Sequence, residues 1–385
     1  MYDSEAELGL FLPSSLRFYG GGEIFLIKIS KGLINSGFKN TIYENESFTG
    51  PFRVDDSFLE KVGIKFQRIK FQKLGKFGQL FFHSMPFKES LSKHSINLIV
   101  IWRLPSRKQM KELNCSDSKN IFLMHGIGMD KFRISHPVIG AYQLYMRIQL
   151  HLISRLLQRG NNFFQVLNKF QRRKLINAGI PSDRIFLIGN GVEPERYSVG
   201  RNDSRFTVLF IGRIENFQKG IKRLIRVSRY VTKNNHDVSF TVIGSGKDSS
   251  MLKNIHWLDY IEFVSEERKI KELANANLLL LTSNAEPFSI SVLEALFAGL
   301  PVISTPVAGP SDILGSSIDW GRISGFSARK IGNDILDYYD QWRSNPGNFF
   351  EGKINRSSEA KRIFNTKTSI DKYTEMITRV MAYRP

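Results

Sequence analysis

Two glutamates carry the chemistry that is easiest to read. Glu286 and Glu294 stand eight residues apart in the segment SNAEPFSISVLEALFAGLPVIS, residues 283–304. An apolar strand ends at Leu281–Thr282. Glu286 follows in a loop, held extended because Pro287 comes next. Pro287 suits the first turn of a helix, where no amide partner is needed. The amides of Phe288, Ser289 and Ile290 would then be free donors at a helix start, a setting that favours phosphate. Helical spacing puts the two carboxylates ~10 Å apart. At that distance they share neither a proton nor a metal ion. They can each accept hydrogen bonds from hydroxyls of two different sugars that flank a diphosphate. Glu294 lies inside the apolar run Val-Leu-Glu-Ala-Leu, where a merely solvated glutamate is out of place.

Four shorter segments point the same way. Gly212-Arg213 ends a strand and Lys219-Gly220 opens the next helix. A fixed arginine and lysine there can clamp a diphosphate and stabilise it as a leaving group. Gly244-Ser-Gly246 follows another strand and lacks the third glycine of a nicotinamide-binding turn. Tyr19-Gly20-Gly21-Gly22-Glu23 precedes an amphipathic helix, and its glycines allow positive φ and close approach of a ligand. Glu23 suits the positive end of that helix. His125 ends an apolar strand, at the edge where open α/β sheets place ligands.

The elements that must position these residues alternate along the chain. Apolar runs at Leu8–Leu12, Asn40–Tyr43, Ile64–Ile69, Ile96–Ile101, Asn120–Met124 and Phe163–Leu167 read as strands. A second set runs through Phe206–Ile211, Ser239–Ile243, Ile261–Val264, Asn277–Leu281 and Pro301–Ser304. Helical patterns lie between them, as at Ile24–Ser36, Ile221–Thr232, Arg268–Ala276 and Ile290–Ala298. Repeated strand–helix units predict doubly wound parallel sheets. The 385-residue chain is long enough for two such domains. The polar stretch Glu193–Arg205 marks the boundary. The predicted division is residues 1–195, residues 196–365, and a final helical segment, residues 366–385.

Together these segments resemble glycosyltransferase family 4, whose members are retaining enzymes of the GT-B fold. The resemblance rests on the E-x(7)-E signature at Glu286 and Glu294, on Gly212-Arg213 with Lys219, and on the glycine turns. It covers most of residues 8–310 and is strongest from Asn190 onward. It implies two Rossmann-like domains with an interdomain cleft, and a last helix that returns to the first domain. It implies that Glu286 contacts the transferred sugar and Glu294 the nucleotide ribose. Arg213 and Lys219 would hold the diphosphate, with Gly21, Gly22, Gly212, Gly244, Val264, Phe288, Ser289 and Ile290 around the donor. His125 would line the reaction site, so Glu286, His125, Arg213 and Lys219 form the implied catalytic set. Five residues separate Arg213 from Lys219, one more than the family's common form, and Ser265 stands where the family often has a glycine. Asn190-Gly191-Val192 matches the family's interdomain stretch and reads as a turn.

Composition narrows the partners. The formal net charge is +19, and residues 1–190 hold 28 Lys/Arg against 14 Asp/Glu, giving +14. A basic first half favours an anionic acceptor or an anionic membrane surface. Residues 61–93 combine eight Lys/Arg with six Phe and a single acid, Glu89, a mixture that suits contact with an anionic membrane or acceptor, or equally phenylalanines in a core beneath a solvated basic face, with a nucleic-acid surface as the third reading. No Asp-x-Asp occurs, and His83, His94, Cys115 and His125 lack metal-ligand spacing, so neither a metal nor a cofactor is expected. One cysteine allows no internal disulfide, and the acidic start differs from a signal peptide, which fits a cytoplasmic protein peripheral to the inner membrane face. The reading is a hexose transfer from a nucleotide-diphosphate sugar to a glycan, lipid-linked or other anionic acceptor, in cell-surface polysaccharide or glycoconjugate synthesis. A nucleotide-sugar epimerase is the alternative enzyme. A basic nucleic-acid-binding protein is the distant one, and Glu286 and Glu294 speak against nucleic acid as a partner.

Overall fold

The computed structural model describes residues 7–18, 21–49, 54–72, 83–115, 117–126 and 137–384, apart from the Ile139 side chain. The chain divides into two compact units. The first comprises residues 1–190 and 367–385, the second residues 191–366. The divisions therefore fall five residues before the one read from the polar linker and one residue after the one read from the final helical segment.

The first unit is built on seven parallel strands: β1 (Leu8–Leu12), β2 (Asn40–Asn45), β3 (Phe66–Ile69), β4 (Ile96–Ile101), β5 (Lys119–Met124), β6 (Asn162–Val166) and β7 (Ile185–Leu187). Their order is β3-β2-β1-β4-β5-β6-β7. Alternation along each strand feeds two cores. Leu8, Leu10, Leu98, Ile121 and Leu123 enter one, with Phe25, Leu26 and Leu33 of the helix Gly21–Asn35. Phe11, Ile99, Phe122, Met124 and Phe164 enter the other, with Met146, Leu150, Ile153 and Leu157 of the helix Pro137–Gln158. Covering both faces is what makes these strands read as continuous apolar runs. The helix Thr366–Ala382 joins the first core through Tyr373, Met376, Ile377 and Val380. A Cβ on Gly32 would lie 2.5 Å from Ile370, so this helix contact needs glycine.

Of residues 61–93, the expected basic-aromatic segment, residues 61–72 and 83–93 are described. Their described part includes the edge strand β3, whose Arg68 pairs with Glu44 at 2.8 Å and also with Asp56, while Lys65 pairs with Glu7 at 3.2 Å. Phe71 is buried, and Phe77, Phe81 and Phe82 lie outside the described residues.

The second unit repeats the plan with six parallel strands: β8 (Phe206–Ile211), β9 (Val238–Ile243), β10 (Asp259–Ile261), β11 (Leu278–Leu281), β12 (Val302–Ser304) and β13 (Gly321–Ile323), ordered β10-β9-β8-β11-β12-β13. The helices Ile221–Asn234 and Ala328–Ser344 close one face through Leu224, Val227, Val231, Ile331 and Ile335. In both sheets the order reverses beside the first strand, at β1/β4 and at β8/β11. Ligands of open α/β sheets bind beyond the carboxyl ends of strands at such reversals.

Candidate active site

In the second unit, the switch point gathers the motif residues. β8 and β11 are parallel neighbours, with Leu278 opposite Val208, so the loops after both strands leave the same edge. The loop after β8 carries Gly212 and Arg213, then a one-turn helix, Asn216–Lys219. The loop after β11 carries Glu286. The two are stitched together by backbone carbonyls. The Asn284 amide donates to Gln218 O at 2.6 Å, and its side chain donates to Asn216 O and Phe217 O. Thr282 Oγ1 donates to Lys219 O at 2.9 Å. Arg223 donates to Thr282 O at 2.6 Å and Asn284 Oδ1 at 3.0 Å. Gly220, at φ +69°, leaves room for the Thr282 carbonyl, which a Cβ would meet at 2.2 Å.

This frame aims Lys219 at Glu286. Lys219 Nζ stands 2.5 Å from Glu286 Oε2, and Ser283 Oγ donates to the same oxygen at 3.2 Å. The pair is largely buried. The segment after Arg213 runs into the one-turn helix Asn216–Lys219, at whose end Lys219 meets Glu286. Arg213 remains mostly exposed, 3.5 Å from Glu215.

Glu294 has its own network. Tyr197 OH and Lys269 Nζ each donate to Glu294 Oε1 at 2.9 Å. Among the described residues nothing bonds to Oε2. Lys269 also meets Glu266 at 3.0 Å, and Arg196 closes the chain on Glu266 at 2.9 Å. Burial, seconded by the Glu294 charge, pushes the Tyr197 pKa well up, so the phenol stays a donor. Burial works against the Lys269 ammonium, but Glu294 and Glu266 outweigh it and hold its pKa above the usual lysine value. The sequence reading missed Tyr197 and Lys269. One sits in the linker, and the other in a polar helix, Glu266–Asn275, where lysine looks like a solvated face.

Between the carboxylates the backbone departs from expectation. The helix is Ile290–Phe297, so Pro287 and Phe288 precede it and Ser289 occupies its cap position. The first-turn amides are therefore those of Ile290, Ser291 and Val292, and no side chain caps them. Ser289 is the only non-glycine residue with positive φ among the described residues, at φ +94°. Glu286 O accepts from Gly309 N at 2.9 Å, and a Cβ on Gly309 would meet the Phe288 backbone at 2.4 Å. The Phe288 ring is buried against Phe364. A strained residue at the start of an uncapped helix is the kind of outlier that a ligand site maintains. Ser289→Gly should raise the thermal midpoint. Relief of ~1–3 kcal/mol of strain exceeds the ~0.5–1 kcal/mol lost to glycine's unfolded-state freedom. A lowered midpoint by calorimetry would show that the Ser289 hydroxyl, 3.1 Å from Ser291 Oγ, matters more than the strain.

Gly244 and Gly246 have a structural reason to be glycine: a Cβ there would meet Gly212 O at 1.9 Å or Ile214 O at 2.3 Å. β10 ends at Ile261, so Val264 is a half-buried loop residue rather than the strand's last. Ser265 caps the helix Glu266–Asn275 by accepting from Arg268 N. Gly191 and Val192 run beside Asn365 and Thr366. Val192 N donates to Phe364 O and Thr366 N to Val192 O, both at 3.0 Å.

The first unit places its own candidates at the carboxyl edge of its sheet. Gly21 and Gly22 are not a positive-φ turn; they are the first two residues of the helix Gly21–Asn35, and Tyr19 and Gly20 lie outside the described residues. A Cβ on Gly22 would meet nothing within 4 Å. Glu23 is not a free partner for the helix dipole: it is buried and accepts from Ser14 Oγ. His125 follows β5 and packs against Phe25, ring centroids 4.9 Å apart. Burial depresses its pKa to about 4, against a weaker opposing bond from Gln165, so the imidazole is neutral at pH 7. Among the described residues no group of three or more His, Cys, Asp or Glu is placed to hold a metal ion, and no helix is long and apolar enough to cross a membrane.

The chain resembles known proteins in sequence and fold. Residues 192–327 match the family Glycosyl transferases group 1. That domain lies wholly within the second unit and contains Arg213, Lys219, Glu286 and Glu294. An uncharacterized glycosyltransferase of Methanocaldococcus jannaschii is 28% identical over 201 residues, 42% of this chain and 51% of that protein. The amylovoran biosynthesis glycosyltransferase AmsK of Erwinia amylovora is 24% identical over 224 residues, 54% of this chain and 51% of that protein. The chain thus spans about half the length of these curated relatives. Among solved structures, HepE of Anabaena in complex with UDP and glucose aligns with a TM-score of 0.70 at 16% identity, covering 97% of this chain and all of that one. WaaG, a glycosyltransferase involved in lipopolysaccharide biosynthesis, aligns at 0.68 and 16% identity, covering 96% and 99%. The fold is GT-B.

Proposed function

We propose that this protein is a retaining glycosyltransferase that moves a hexose from a nucleotide-diphosphate sugar to a glycan or lipid-linked acceptor in cell-surface polysaccharide synthesis. The observation that carries the reading is the pairing at one switch point of Lys219 with Glu286, while Glu294 keeps one carboxylate oxygen unbonded among the described residues. Glu294 Oε2 would accept the ribose hydroxyls. Lys219, Arg213 and the amides of Ile290, Ser291 and Val292 would receive the diphosphate. As the bond between the anomeric carbon and the diphosphate oxygen breaks, its electron pair goes to that oxygen, and the Lys219 ammonium stabilises the charge. Glu286 would hold the transferred sugar and keep Lys219 in place. The acceptor hydroxyl attacks from the face the diphosphate leaves and passes its proton to the departing phosphate. His125, neutral at pH 7, would act there as a hydrogen-bonding group rather than a cation. These cations do the work that a metal-bound diphosphate needs elsewhere, so we propose that activity survives chelation.

Support for the donor class comes from HepE, which was solved with UDP and with UDP-glucose, and support for the acceptor class from AmsK of amylovoran biosynthesis. A panel of UDP-, GDP- and ADP-sugars tests the reading by thermal shift, run with and without EDTA. A donor at a hundred times its Kd should stabilise the protein by ~2.7 kcal/mol. No shift with any member of the panel would sink the donor site. Loss of turnover with EDTA would sink metal independence. Product analysis completes the test: an inverted anomeric configuration would rule out retention, and conversion of donor without acceptor would favour an epimerase.

A further inference from the structure

The helix Pro137–Gln158 turns an apolar stripe to solvent. Its Met146, Leu150, Ile153 and Leu157 face the core, yet Leu144, Ile148 and Leu152 on the opposite side are 49%, 51% and 60% exposed, and Val138 is 63% exposed. At 3.6 residues per turn the three central residues fall within about 80° of one another around the axis. Isolated exposed leucines are ordinary, but an aligned row of them on one helix marks a contact surface.

The charge around this stripe is predominantly basic, with Glu112 of the neighbouring helix half-buried. Arg155 lies within it, and Arg147 and His151 flank it, all exposed. No Asp or Glu occurs from residue 131 to residue 182, a stretch that holds nine Lys/Arg. The helix Arg107–Leu113 runs alongside, joined through Asn114 Nδ2 to Leu156 O at 2.8 Å, and exposes Arg107, Lys108 and Lys111. A second copy of the helix Pro137–Gln158 packed on the first would set arginine against arginine, since that helix carries no carboxylate to neutralise them. Nucleic acid would satisfy the arginines and leave the leucine row in water.

We propose that this face docks on a bilayer surface bearing anionic headgroups. The helix would lie in the interfacial plane, with Leu144, Ile148 and Leu152 at the acyl boundary and Arg147, Arg155 and the basic edge of Arg107–Leu113 on lipid phosphates. The apolar stripe itself lies on residues 137–158, and the basic edge of Arg107–Leu113 adjoins the described part of residues 61–93, with Gln109 Nε2 donating to Gln72 Oε1 at 3.0 Å and Gln72 Nε2 to Glu112 Oε2 at 3.2 Å. This surface stands independently of the donor-site reading, because it is read by vesicle binding alone.

Cosedimentation with vesicles of phosphatidylcholine, alone and mixed with phosphatidylglycerol, tests it. The full-length protein should bind the mixed vesicles about tenfold better than the neutral ones, and raised salt should release it. Leu144→Asp, Ile148→Asp and Leu152→Asp combined should lower binding to mixed vesicles about tenfold or more, without moving the thermal midpoint, since the sites are exposed. Should that variant lose its fold, Arg147→Glu with Arg155→Glu makes the same test and should abolish the preference for anionic lipid. Equal recovery on neutral vesicles, or unchanged binding by the folded variants, would overturn the proposal. So would a wild-type dimer in light scattering that Ile148→Asp converts to monomer with vesicle binding intact.

Discussion

Glu294→Ala should lower affinity for the nucleotide-sugar at least about 100-fold. Hydrogen bonds to a charged group contribute ~1.5–3 kcal/mol each, and a carboxylate that accepts from two ribose hydroxyls loses both on truncation. The carboxylate is nearly buried at 8% exposure and pre-aimed, since Tyr197 and Lys269 fix Oε1 and leave Oε2 unbonded among the described residues. The substitution has a second effect. It leaves Lys269 buried with Glu266 as its remaining acidic partner, so stability should fall by ~1–3 kcal/mol. Glu294→Gln separates the two effects, because it keeps the shape and a neutral acceptor, and should lose roughly tenfold in affinity. Calorimetry of the folded variants decides. Wild-type affinity in the alanine variant would remove Glu294 from the donor site, however stable the variant proved.

What the sequence disclosed follows from where each signal resides. Glu286, Glu294 and Lys219 were legible because carboxylates and a lysine beside buried strands have few bland explanations, and because their spacing lies within short segments. Both sheets were legible from strands buried on two faces. β7 and β13 were not, since three-residue edge strands are shorter than the runs that announce a strand. Tyr197 and Lys269 reach Glu294 from 97 and 25 residues away, and no local pattern encodes such a meeting. The glycines before Glu23 suggest a turn by propensity, yet Gly21 and Gly22 are helical. There the buried Glu23–Ser14 bond and the packing of Phe25 and Leu26 outweigh glycine's ~1 kcal/mol preference against helix. Pro287 misleads similarly. It suits a first turn, but the Glu286 carbonyl is claimed by Gly309 N, and the helix begins three residues later.

Lys219→Ala should reduce kcat by about 10²–10³ with a much smaller change in donor affinity, because its charge matters most when the diphosphate leaves. The geometry makes this lysine the better placed of the two cations. Its side chain is 12% exposed and held 2.5 Å from Glu286, whereas the Arg213 side chain is 59% exposed and screened by solvent. Arg213→Ala should therefore cost less, about tenfold in kcat. Removing Lys219 also takes away the ammonium held 2.5 Å from Glu286 Oε2, which loosens the glutamate's hold on the sugar. Lys219→Arg restores the charge but not the fit, since a planar guanidinium replaces a compact ammonium in a frame built by Thr282 and Asn284, and it should recover only part of the loss. Steady-state kinetics at saturating donor rank the variants. An alanine variant with kcat within about threefold of wild type would mean that the diphosphate leaves without Lys219. The Lys219–Glu286 pair would then be structural, a brace between the loops after β8 and β11.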